Sequence, residues 1–258
     1  MTRNGTGRKG VATALAVTLV TLLLSSCATV VADYAREQRW ADEVIPSLVV
    51  GEAVYLAQKS GHKFLTLYTE AGKSERAVIV VHGLGVHPDW GLIGAVRSGL
   101  ADDGYTTLSV QMPVLAADAL AESYGELSGD ASERLAVATA FLRTKGYRKI
   151  ALVSHSMGAR MSNGFLADAA AGHIDAWVAI GISGGEFNRV AQFKRPVLDI
   201  YGERDLPAVL AKAAARADVL RTLKGSAQVE VAGADHYFAG SEPQLVKQIR
   251  QFLDRQLR

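Results

Sequence analysis

The stretch Ala77-Val78-Ile79-Val80-Val81, a continuous apolar run rich in β-branched residues and closed by His82-Gly83, constrains this chain more than any other. A strand that is apolar at every position has both faces covered, as happens inside a parallel sheet with helices above and below. The pattern then repeats. A helical stretch over 89–102 leads to a strand at 105–110, a helix at 131–145 to a strand at 149–153, and further strands are expected at 176–180, 197–201 and 228–231. Helices at 208–223 and 243–257 complete the alternation. Before it, 53–56 and 63–69 flank Ser60-Gly61 and read as an antiparallel hairpin. The fold class is therefore α/β, with a mostly parallel, doubly wound sheet, an antiparallel N-terminal hairpin and helices on both faces. In such sheets the chemistry collects in loops just past the strand C-termini.

A chain of 258 residues with 49% apolar and 21% charged residues suits one globular domain. The net charge of +2, with basic residues scattered beyond the N-terminus, gives no footprint for nucleic acid. The N-terminus reads differently: Arg3, Arg8 and Lys9 precede an apolar run over 11–24 that is shorter than the roughly 20 residues of a comfortable membrane span. It closes in Leu24-Ser25-Ser26-Cys27, and Cys27 is the only cysteine in the chain, so no internal disulfide can form. This segment resembles a bacterial lipoprotein signal, which implies cleavage before Cys27 and acylation of its thiol. An ordinary signal peptide or an uncleaved anchor is the competing reading. The expected organisation is a signal peptide over 1–26, a tether or short surface helix over 27–45 and the α/β domain over 46–258. Ala28 after the cysteine points, by the same resemblance, to the periplasmic face of an outer membrane in a host with two membranes.

The sharpest local signal is Ile150-Ala151-Leu152-Val153-Ser154-His155-Ser156-Met157-Gly158, a strand running into a tight turn and then a helix. A nucleophile presented on such an elbow needs small residues two before and two after it. Gly158 satisfies this, while Ser154 stands where glycine is usual. Taken alone, Ser156 reads more readily as a helix N-cap than as a nucleophile. Its context comprises His82-Gly83-Leu84-Gly85 after the first buried strand, Asp205 in a loop past the strand at 197–201, and His236 past the last strand.

In these motifs and their order the chain resembles the alpha/beta-hydrolase superfamily, from about Ala77 to the C-terminus. The resemblance implies Ser156 as nucleophile, His236 as base, Asp205 as the carboxylate orienting it, and the backbone N–H groups of Leu84 and Met157 as the oxyanion hole. Asp205 could instead cap the next helix, with Glu203 or Asp199 as the acid. His82 and His155 adjoin the site as loop supports; His87 and His173 read as surface-loop residues and His62 as a hairpin residue. His87-Pro88-Asp89-Trp90 and the segment over 105–113 also resemble an alpha/beta-hydrolase-like bacterial envelope family of unknown function.

No His, Cys or carboxylate spacing suggests a catalytic metal, and no phosphate loop suggests a nucleotide, so no cofactor is expected. The short interval between 182 and 197 leaves no room for a large cap, and 112–129 is expected to form a flap or wall. The implied activity is hydrolysis of a small-molecule or lipid-like carboxylic ester or thioester, with the membrane as partner through acylated Cys27. Acyl transfer, amide or peptide hydrolysis, and a non-catalytic envelope scaffold are the alternatives.

Overall fold

The computed structural model describes residues 1–2, 31–72, 74–167, 169–184, 187 and 190–258. The expected signal peptide beyond its first two residues, Cys27 and the start of the tether lie outside them.

Helix α1 (Tyr34–Ser47) precedes a hairpin of β1 (Glu52–Ala57) and β2 (Lys63–Thr69), then β3 (Arg76–Val81), α2 (Gly91–Asp102) and β4 (Thr106–Val110). A 3-10 helix, Ala121–Leu127, leads into α3 (Ser128–Thr144), followed by β5 (Lys149–His155), α4 (Met157–Phe165) and β6 (Ala176–Ile180). The chain closes with α5 (Val190–Phe193), β7 (Val197–Arg204), α6 (Pro207–Leu210), α7 (Ala213–Leu220), β8 (Ala227–Asp235) and α8 (Glu242–Gln256). One sheet of eight strands runs in the order β1-β2-β4-β3-β5-β6-β7-β8. Strands β3 to β8 are parallel to one another, and β2 is antiparallel to both β1 and β4. This is the alpha/beta-hydrolase fold that the motif order implied.

Strand alternation builds two cores. Ala77, Ile79 and Val81 of β3, Ile150 and Leu152 of β5 and Trp177 of β6 face α3 and α4, whereas Val78, Val80, Ala151, Val153 and Val178 face α2 and α8. Every one of these residues is fully buried, which explains the unbroken apolar runs read from the sequence.

One expectation needs correction. The single helix expected over 208–223 is two, α6 and α7, broken at Ala211 and Lys212. Buried Arg216 of α7 donates to Val209 O of α6 (2.8 Å) and to Asp199 in β7 (2.7 Å), which ties the second helix both to the first and to the sheet across the break. The stretch read as a tether or short surface helix is, from Tyr34 onward, a helix, and it is docked on the sheet: Ala41 and Val44 pack on Leu65 and Leu67 of β2. Glu37 on the same helix accepts two hydrogen bonds from the fully buried Arg134 of α3, each 3.0 Å. Of the flap and the wall expected after β4, the segment forms the packed wall. Its Met112, Val114, Leu115, Tyr124 and Leu127 are all core residues, and Leu115 N–H donates to Tyr124 Oη at 3.1 Å.

Candidate active site

Strand β5 delivers the chain directly into Ser156, whose backbone sits at φ 54, ψ −119. A non-glycine residue in so sparsely populated a region costs about 1–3 kcal/mol and persists only where its surroundings enforce it. Here Ser156 N–H donates to Ile180 O (2.9 Å), and Ser156 O accepts from Ala159 (3.0 Å) and Ser183 (3.2 Å). Gly158 permits the turn, because a Cβ there would stand 2.1 Å from His82 O. Ser154, the departure from the usual glycine, fits because its buried Oγ accepts the indole N–H of Trp177 at 2.8 Å. A buried hydroxyl with a partner carries no desolvation penalty of the unpaired kind.

Three loops converge on this elbow. Past β8, His236 lies with Nε2 2.9 Å from Ser156 Oγ and Nδ1 2.6 Å from Asp205 Oδ1. With Nδ1–H donating to the carboxylate, Nε2 is left as the acceptor for the serine hydroxyl, the tautomer a general base requires. Past β7, Asp205 is held by Leu206 N–H on Oδ1 (2.7 Å) and Gly202 N–H on Oδ2 (3.3 Å). Ser156, Asp205 and His236 are all nine-tenths or more buried. The competing acids are elsewhere. Asp199 lies inside β7, bound to Arg216 and to Gln228 (2.8 Å), with its carboxyl pushed up by burial. Exposed Glu203 accepts from Gly233 N–H.

The loop after β3 crosses the nucleophile closely enough that a Cβ on Gly83 would lie 3.1 Å from Ser156 Cβ. Leu84 follows it, and Arg36 of α1 grips the same loop through Gly85 O (3.4 Å) and the wall through Leu115 O (2.8 Å). Met157 is the first residue of α4, so its N–H is among those a helix leaves without an internal acceptor. Met157 thus directly follows Ser156 in the chain, and Leu84 directly follows the glycine packed against it.

His82 and His155 brace the site from inside. Met112 N–H donates to His82 Nε2 (2.8 Å) and His82 Nδ1–H donates to Gly83 O (2.8 Å), tying the loop after β3 to the wall. His155 Nε2–H donates to His236 O (2.9 Å) and its ring lies 4.8 Å from that of His236. Burial pushes His82 down to about 3 and His155 down to about 4, so both are neutral imidazoles. Of the remaining histidines, His62 stacks on Tyr34 and pairs with Glu37, and His87 accepts Asp89 N–H at 3.3 Å.

Sequence reasoning missed Gly181. It follows β6 at φ +50, and a Cβ there would meet Asp205 Oδ2 at 2.9 Å and His236 Nδ1 at 3.1 Å. Only glycine leaves space for the carboxylate and imidazole, and its position directly after a buried strand was the available signal. Among the described residues no group of three or more His, Cys, Asp or Glu side chains is arranged to hold a metal ion.

Comparison with known proteins agrees with this fold. A family described as "Protein of unknown function (DUF3530)" matches residues 14–132. No curated protein matches the chain. Among solved structures, dienelactone hydrolase from Anabaena variabilis superposes with a TM-score of 0.67 at 21% identity, covering 80% of this chain and 97% of that one. An esterase from Pyrococcus furiosus gives 0.66 at 16% identity, over 81% and 98% of the two chains. Est1E from Butyrivibrio proteoclasticus gives 0.63 at 16% identity, over 79% and 98%.

Proposed function

We propose that this chain is a serine hydrolase of carboxylic esters or thioesters that works through an acyl-enzyme on Ser156. The observation that carries the reading is the hydrogen-bonded series Ser156–His236–Asp205 on a strained elbow. A serine hydroxyl needs a neutral base within reach, and the base needs a fixed tautomer and a carboxylate to stabilise its protonated form. In the forward step Ser156 Oγ bonds to the substrate carbonyl carbon while its proton passes to His236 Nε2. The tetrahedral oxyanion is received by the N–H groups of Leu84 and Met157, each such donor being worth roughly 10²- to 10³-fold in rate. Collapse expels the alcohol or thiol with the proton from Nε2. Water then repeats the sequence and releases the acid. The esterases and the dienelactone hydrolase among the structural relatives favour ester chemistry over amide chemistry on the same residues.

The protein is proposed to act at the cell envelope, held by acylation of Cys27; the charged, apolar and small-residue regions of the first 27 residues support this. A fluorophosphonate probe tests the enzyme reading. The expected result is covalent labelling of the wild-type chain and none of Ser156→Ala. Labelling that survives the substitution removes Ser156 as nucleophile, and a folded wild-type chain that never labels favours a binding scaffold.

A further inference from the structure

Five large apolar side chains are exposed around the active-site edge of the sheet. Leu84 follows β3, Leu120 ends the loop after β4, Leu206 adjoins Asp205 after β7, and Tyr237 adjoins His236 after β8. Val31 joins them at the start of the described chain, because two residues later Asp33 N–H donates to Val114 O in the wall (2.7 Å). They are between 41 and 70% exposed. Single exposed leucines are ordinary, but several gathered on the loops at one end of a sheet mark an interaction surface.

The route of the chain indicates what covers it. Only five residues lie between Cys27 and Asp33, a reach of at most about 20 Å over the six fully extended steps. A domain of this size has a radius of gyration of about 17 Å and hence a diameter of roughly 40 Å. A lipid on Cys27 therefore keeps Asp33, and the rim beside it, close to the bilayer while the opposite edge of the sheet is carried away from it. That opposite edge is identified by register: Thr66 of β2 pairs with Val110 at the active-site end, so Tyr68 and its partner Glu52 lie toward the far end, just after Val49.

Resting on the proposed lipid anchor and serine-hydrolase reading, we propose that the apolar rim lies on the anchoring bilayer and that the substrate is an acyl ester drawn from it. An acyl chain could then slide from the membrane past Leu120 and Tyr237 to Ser156 without crossing water. The full-length lipoprotein, reconstituted in phosphatidylethanolamine and phosphatidylglycerol vesicles, tests this with bimane attached at Leu120→Cys or at Val49→Cys. Lipids brominated on their acyl chains should quench the Leu120 label by about twofold or more, as for a side chain at the headgroup and acyl boundary. The Val49 label should not change. Equal behaviour at the two positions overturns the orientation.

Substrate class is read separately by Leu120→Asp. Hydrolysis of a long-chain ester embedded in the vesicles should fall about tenfold, roughly the effect of losing an apolar contact of 1–2 kcal/mol. Hydrolysis of a water-soluble acetate ester should be unchanged. An equal loss on both, or on neither, removes the bilayer as substrate source. Fluorophosphonate labelling of the same vesicles separates the two readings: labelling without quenching leaves a hydrolase wrongly oriented, and quenching without labelling leaves an oriented protein that is not a serine hydrolase.

Discussion

At the scale of single residues, the site depends on small side chains as much as on reactive ones. Gly181 is the sharpest case, since its φ of +50 and the 2.9 Å gap to Asp205 Oδ2 both exclude a methyl group. Gly181→Ala is expected to push Asp205 and His236 apart and to lower kcat/KM by about 10²-fold, the scale of a 1 Å misplacement of catalytic groups. Stability should fall as well, because the substitution adds strain at positive φ. Steady-state kinetics on a soluble ester checks the first and urea unfolding the second; unchanged kcat/KM would mean that the Asp205–His236 contact is not sterically set. Asp205→Asn makes a complementary point. An amide can accept the Nδ1–H bond, but it can also hold the wrong tautomer, and the expected loss in kcat is about 10⁴-fold with KM little altered. Equal activity of wild type and the Asp205→Asn variant would shift the orienting role to another group.

At the scale of elements, what was legible in the sequence followed from local pattern. Strands β3, β5 and β6 announced themselves because both faces are buried, and the positions of Ser156, Asp205 and His236 followed from the strands they terminate. Elements fixed by distant partners did not show. The α6–α7 break lies in an alanine-rich stretch with no glycine and no internal proline, and it is set by Arg216 reaching Asp199. The docking of helix α1 was hidden in the same way: the stretch reads as a tether or a surface helix, and its charged residues look solvated until Glu37 is seen bound to Arg134, 97 residues away. That pair yields a prediction. Arg134→Met takes both guanidinium bonds from the buried Glu37 carboxylate, leaving it the longer contact with His62, and should cost about 3–5 kcal/mol, whereas the double change Glu37→Leu with Arg134→Met should recover much of it. Because α1 also holds Gly85 O and Leu115 O through Arg36, the single variant should lose kcat on soluble esters beyond its loss of stability at temperatures where it remains folded. Urea midpoints of the three proteins decide the matter, and a double variant no more stable than the single one would show that the ion pair is not the fastening.

At the scale of the whole molecule, His82 and His155 link the loops of the active-site edge into one bracket, and both do so as neutral rings. His155 donates from Nε2 to His236 O, and its Nδ1 is buried with no hydrogen-bond partner among the described residues. Protonating it would create a buried, unpaired cation, which is why burial holds it at about 4 while His82 sits at about 3. In the unfolded chain both imidazoles titrate near ~6.5. Between that value and about 4 the unfolded state therefore binds more protons than the native one, and stability that is complete above pH ~6.5 declines as the pH falls. Each histidine contributes a slope of up to ~1.4 kcal/mol per pH unit. Asp199, whose carboxyl is pushed up by burial, acts in the opposite sense, but it is common to wild type and variant and cancels between them. His155→Gln keeps a donor for His236 O and removes one titrating ring. The difference in unfolding free energy between pH 7 and pH 5 should therefore be smaller in His155→Gln than in wild type by about 1–2 kcal/mol, whatever the variant's stability at pH 7. Identical pH dependence in the two proteins would mean that His155 is not the group holding the native edge to neutral pH.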